Sequence, residues 1–216
     1  IGSGLVGSEM CIRDRNKDKL LPLKKDIRTL AVIGPNADNV YNMLGDYTAP
    51  QADGTVVTVL DGIRQKVSKE TRVLYAKGCA VRDSSRTGFK DAIETARNAD
   101  AVVMVMGGSS ARDFSSEYEE TGAAKVTINQ ISDMESGEGY DRATLHLMGR
   151  QLELLEEISR LGKPVVLVLI KGRPLLMEGA IQEAEAIVDA WYPGMQGGNA
   201  CLLYTSPSPR DRSLSR

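Results

Sequence analysis

The sequence predicts an α/β fold: an open, mostly parallel sheet with helices on both faces, a three-layer α/β sandwich, incomplete at its C-terminus. Two observations carry this. Five short apolar runs are continuous rather than alternating, as in strands covered on both faces. Helical patterns separate most of them, and strand–helix alternation builds a parallel sheet through right-handed crossovers. The first run is Thr29–Ile33, closed by Gly34 and Pro35. The second is Arg72–Ala76, and the third is Ala101–Met106, closed by Gly107 and Gly108. The fourth, Pro164–Ile170, begins with a proline that suits a first strand position, and the fifth is Ala186–Trp191. Helices are predicted over Val57–Val67, Phe89–Ala99 and Gly149–Leu161, the last stopping at Gly162, with a shorter one over Leu175–Glu185.

The 216 residues are 42% hydrophobic and 26% charged with a formal net charge of −2. That is enough chain for one good core. The near-neutral balance gives no basic stripe for nucleic acid and no polybasic patch for a membrane. No apolar run approaches a membrane-spanning length. Both ends look foreign. Residues 201–211 read as the translation of a transposon-type sequencing adapter, and residues 4–14 as the reverse complement of the same adapter. Residues 1–15 and 201–216 are therefore expected to be artefact, leaving residues 16–200 as one truncated domain. Of three cysteines only Cys79 lies inside it, too few for a disulfide or a zinc cluster.

Gly107–Thr144 breaks the regular alternation. It shows no convincing period and far exceeds the roughly 12–15 residues beyond which a loop is usually functional or disordered. It leaves the carboxyl end of a strand, where open parallel sheets collect ligands. The loop is rich in acids: Asp113, Glu117, Glu119, Glu120, Asp133, Glu135, Glu138 and Asp141. Most suit a solvated surface. Glu138 stands apart, between Gly137 and Gly139 in Ser136-Gly137-Glu138-Gly139-Tyr140-Asp141-Arg142. Glycine on each side disfavours helix or strand and suits a turn that presents one acid. On residue types alone Glu138 reads as a plain turn residue ahead of a catalytic acid.

Other chemistries are less well served. Gly34-Pro35-Asn36-Ala37-Asp38 has one glycine where a dinucleotide fold carries three, and Pro35 removes a donor. Gly107-Gly108-Ser109-Ser110 could cradle an anion or be a simple turn. His146, the sole histidine, has no cysteine partner at hand, and no G-x-S-x-G elbow is present. Cys79 reads as a packed residue rather than a nucleophile. Trp191 and Tyr192 could stack on a sugar or cap the core.

Five stretches in order carry a resemblance: Leu20-Leu21-Pro22-Leu23, Ala31 to Asp38, the Ser136–Arg142 run, Gly172-Arg173-Pro174 and Trp191-Tyr192-Pro193-Gly194. Together they resemble glycoside hydrolase family 3, closest to bacterial β-glucosidase-like members, over residues 16–200. The resemblance implies the C-terminal α/β sandwich of a two-domain enzyme whose barrel binds the terminal sugar and supplies an Asp nucleophile. It implies a retaining, exo-acting β-glycosidase with Glu138 as general acid/base. Glu135 and Glu117 are the fallbacks. Tyr140 and Arg142 are the expected substrate-side residues, Tyr140 walling the leaving-group side and Arg142 also anchoring the loop. The expected partners are an oligosaccharide or an aryl or alkyl β-glycoside, and the missing N-terminal barrel domain in cis. No cofactor, metal, nucleic acid or membrane partner is expected. A periplasmic or secreted location is favoured over a cytoplasmic one. One carboxylate cannot complete a double displacement, so the fragment alone is expected to be inactive. The alternatives are a non-catalytic sugar- or partner-binding domain of the same fold and a nucleotide-binding flavodoxin-like module.

Overall fold

A computed structural model describes residues 12–24, 27–111, 120–121, 133–137 and 140–201. The strands are β1 (Ile12–Asn16), β2 (Thr29–Ile33), β3 (Arg72–Ala76), β4 (Ala101–Gly107), β5 (Val165–Ile170) and β6 (Ala186–Trp191). The helices are α1 (Val40–Leu44), α2 (Val59–Lys66), α3 (Phe89–Arg97), α4 (Gln151–Ser159), α5 (Glu178–Glu183) and α6 (Gly197–Cys201). All six strands form one sheet in the order β1-β6-β5-β4-β2-β3, with β2 to β6 parallel and β1 antiparallel at the β6 edge. All five strands read from the sequence are present.

Successive side chains of a strand point to opposite faces, so a run buried on both faces must be apolar throughout. On one face Val32, Val103, Val105, Val166, Val168 and Val188 pack with Val59, Leu60 and Ile63 of α2 and Met43 of α1. On the other, Ile33, Met104, Met106, Leu167 and Leu169 meet Phe89, Ala92 and Ala96 of α3 and Leu154, Leu155 and Ile158 of α4. Helices thus cover both faces, as expected.

Three elements were not foreseen. Residues 12–15 belong to the stretch expected to be adapter-derived, yet with Asn16 they form β1. Strand pairing at a free edge satisfies backbone groups and asks little of the side chains. The Asn16 amide closes the end of this strand, donating to Leu21 O at 2.8 Å and accepting from Leu21 N at 2.8 Å. Helices α1 and α6 have only five residues each, too few to show a period.

The helix predicted over Val57–Val67 begins at Val59 because Thr58 caps it, its Oγ1 accepting from Asp61 N at 3.2 Å. The same hydroxyl donates to Asp38 Oδ1 at 3.0 Å. Thr58→Ala is expected to lower stability by about 1 kcal/mol, the usual worth of a cap. The check is the urea midpoint of unfolding.

Candidate active site

The loops leaving β2, β4, β5 and β6 gather at the carboxyl edge of the sheet. Their backbone is held by buried polar side chains, because carbonyls and N–H groups at strand ends lose their ladder partners. At the end of β4, Gly107 has φ +131° and sits so close to β5 that a Cβ there would lie 1.9 Å from Ile170 O. Gln151, fully buried at the start of α4, accepts from Gly107 N at 2.9 Å and donates to Gly107 O at 2.8 Å and Val81 O at 3.2 Å. Asn36, also fully buried, donates to Gly108 O at 3.0 Å and accepts from Asn42 Nδ2 at 2.7 Å. Asn42 Oδ1 in turn accepts from Ser109 Oγ at 2.6 Å.

Onto this platform the acidic loop returns. Ser109 O accepts from Glu135 N at 2.8 Å and from Ser136 N at 3.2 Å. Asp133 Oδ1 accepts from Val81 N at 3.0 Å and Arg82 N at 3.3 Å, and Arg82 Nη1 donates to Met134 O at 2.8 Å. Ser136 Oγ lies 3.3 Å from Tyr192 OH. Gly137 has φ +115°, and a Cβ there would meet Met134 Cε at 2.7 Å and Asp46 Oδ2 at 3.0 Å. Tyr140 N donates to Gly137 O at 3.2 Å.

The expected acid/base, Glu138, lies outside the described residues, as does the fallback Glu117. Tyr140 is half-buried, with the Arg82 guanidinium carbon 6.0 Å from its ring centroid. Arg142 Nη1 stands 2.6 Å from Glu135 Oε2, the two side chains 4% and 1% exposed, and Nη2 donates to His146 O. Glu135, the other fallback acid, is thus the inner partner of an ion pair. Its carboxylate is buried and engaged by a guanidinium, not presented to a ligand. Arg142 likewise turns its charge inward.

The remaining sequence candidates are settled by their surroundings. Gly107 N and Gly108 N donate to Gln151 and Ile170 O, so neither is aimed at an anion. After β2, Gly34, Asn36 and Ala37 donate their N–H groups to Ala76 O, Val105 O and Gly34 O. None of these five amides is free to bind a phosphate. Burial, ahead of the Asp133 charge, pushes the Cys79 thiol up to about 12, which suits a packed residue and not a nucleophile. His146 is exposed, and its carbonyl serves Arg142. Lys171 Nζ sits 4.0 Å from the Trp191 ring centroid and 2.7 Å from Asp189 Oδ2, so a cation takes that indole face. Among the described residues no three His, Cys, Asp or Glu side chains gather to hold a metal ion.

Residues 15–210 match the glycosyl hydrolase family 3 C-terminal domain. The chain belongs to glycoside hydrolase family 3. Among relatives, it is 39% identical over 193 residues to a β-xylosidase of Formosa agariphila, covering 86% of this chain and 23% of that protein. It is 31% identical over 215 residues to a periplasmic β-glucosidase of Salmonella typhimurium, covering 90% of this chain and 25% of that one. Among solved structures, the family 3 exo-β-xylosidase XlnD, in complex with a xylobiose aziridine activity-based probe, superposes with a TM-score of 0.73 at 28% identity. That likeness covers 92% of this chain and 22% of XlnD. A β-glucosidase from Erythrobacter marinus gives 0.73 at 31% identity over 92% of this chain and 27% of that one. The chain thus spans about a quarter of the length of these family 3 relatives, in their C-terminal α/β domain.

Gln151, Asn36 and Asn42 escaped the sequence reading. For Gln151 a signal existed: with Leu154, Leu155 and Ile158 it occupies positions i, i+3, i+4 and i+7, so a glutamine stands on the apolar stripe of its helix.

Proposed function

We propose that the protein carrying this chain is a retaining, exo-acting β-glycosidase that removes terminal non-reducing β-D-glycosyl residues, with glucosides and xylosides as the substrate class. This domain supplies the general acid/base, Glu138, and part of the active-site rim; the nucleophilic carboxylate belongs to the barrel domain. The observation that supports this reading best is family membership, with relatives named β-xylosidase and β-glucosidase. Retaining hydrolysis needs two carboxyl groups roughly 5–5.5 Å apart, one attacking the anomeric carbon and one protonating the departing oxygen. The acidic loop suits the second task, because its ends are pinned at the carboxyl edge of the sheet. Tyr140 walls the leaving-group side. A periplasmic or extracellular location fits the relative named periplasmic. No helix among the described residues is long and apolar enough to cross a membrane.

The test uses the complete enzyme on 4-nitrophenyl β-D-glucoside and β-D-xyloside, with the first-formed sugar read by NMR. Hydrolysis with the β-anomer appearing first is expected. An α-anomer first, or no turnover of either glycoside, would sink the reading. The purified chain alone is expected to hydrolyse neither, because double displacement needs both carboxylates; turnover by the fragment would contradict the assignment of the nucleophile to another domain.

A further inference from the structure

The Glu135–Arg142 pair is the most deeply buried ion pair in the described residues, and it is odd as a stabilising device. A buried pair usually gains little over apolar packing of the same volume, because desolvation offsets the attraction. Here the offset is larger than usual: among the described residues Glu135 Oε1 and Arg142 Nε have no hydrogen-bond partner. Its position is more telling. Glu135 is tied to the end of β4 through its N–H to Ser109 O, and its carboxylate occupies the space over Gly108. A Cβ on Gly108 would lie 1.9 Å from Glu135 Oε1. Arg142 lies seven residues on, and its guanidinium comes back to that carboxylate at 2.6 Å. The chain therefore leaves the platform at Glu135 and is returned to it at Arg142. Glu138 lies between them in the sequence.

We infer that Glu135 and Arg142 are a positioning pair: they touch no substrate, and they set where the segment carrying the general acid stands relative to the glycosidic oxygen. This rests on the reading of Glu138 as the acid/base. An ion pair suits the task better than two leucines because a charge-assisted N–H···O contact is short and directional, whereas apolar side chains slide.

The experiment measures kcat/KM, which reads the first half-reaction alone, for the complete enzyme on two glycosides of the same sugar. One carries 2,4-dinitrophenol, which departs without protonation; the other carries an alkyl alcohol, which needs the acid. Arg142→Met and Glu135→Gln are compared with Arg142→Lys, and Glu138→Gln is run beside them, with melting temperatures throughout. A displaced acid loses its grip on the alkyl substrate first. A misplacement on the order of 1 Å costs up to about 10²-fold, so a loss of roughly 10–10²-fold on the alkyl glycoside with little on the dinitrophenyl one is expected. Arg142→Lys should recover part of it. Glu135→Gln keeps an acceptor for the guanidinium and serves where Arg142→Met folds poorly. Equal losses on both substrates, tracking the melting temperature, would reduce the pair to a structural role. If Glu138→Gln shows the leaving-group dependence and the pair variants do not, only the positioning role falls. If Glu138→Gln shows none, both fall.

Discussion

Glu138→Gln in the complete enzyme is expected to lower turnover of an alkyl β-glycoside by roughly 10²–10⁴-fold, the usual worth of general acid/base help. The loss arises twice. In the first half-reaction the amide cannot protonate the departing oxygen, and in the second it cannot take a proton from the attacking water. The two halves separate experimentally. With a dinitrophenyl glycoside the first step survives, the glycosyl-enzyme accumulates, and hydrolysis of that intermediate becomes limiting. Azide is an anion that attacks without losing a proton, so it should restore turnover and give the β-glycosyl azide. Turnover within a few-fold of the parent would make Glu138 a turn residue. The role could not then pass to Glu135, which is 1% exposed at its side chain and held by Arg142. Asp133 is also spent, its carboxylate accepting from Val81 N and Arg82 N. The next acid to test would be Glu117.

The contrast between Glu138 and Glu135 shows what the sequence could reveal about the site. Two glycines around one acid suit a turn that could present a carboxylate, because they change what the backbone can do, and that expectation is written locally although Glu138 lies outside the described residues. Nothing local distinguishes Glu135 from its acidic neighbours. Its burial depends on an arginine seven residues away and on a gap over Gly108 that only the folded sheet creates. The same holds for Asn36 and Asn42. Polar residues in turn-like stretches read as surface, yet here they fasten the ends of β4 and β5 from within. The sheet was legible for the opposite reason. Ala101–Met106 and Pro164–Ile170 have no polar residue on either face, and few local arrangements other than a doubly covered strand need that. Strand β1 was illegible because its pairing is a backbone matter. Helix α1 has a cap that could have flagged it, Asn39 Oδ1 accepting from Asn42 N at 2.9 Å, but no room for a period.

Gly107→Ala is expected to be the most destabilising single methyl in the described sheet, costing roughly 4 kcal/mol or more. Two separate penalties meet there. At φ +131° any side chain is strained, and the new Cβ would stand 1.9 Å from Ile170 O, a backbone atom of the neighbouring strand that cannot swing aside. Relief requires β4 and β5 to part where Gly107 pairs with Ile170. It would also pull the Gly107 amide from Gln151, leaving the Gln151 side-chain oxygen and a strand end without partners, each at a cost of about 1–3 kcal/mol. Gly162→Ala isolates the first penalty. Gly162 has φ +68° at the end of α4 with nothing within 4 Å of an added Cβ, so only the left-handed strain of roughly 1–2 kcal/mol applies. Urea unfolding of both variants against the parent chain reads the difference directly. A gap of several kcal/mol between them is the signature of the close approach between β4 and β5. Equal midpoints would mean that the strands do not meet at Gly107 as described, and the platform under Glu135 would lose its footing with them.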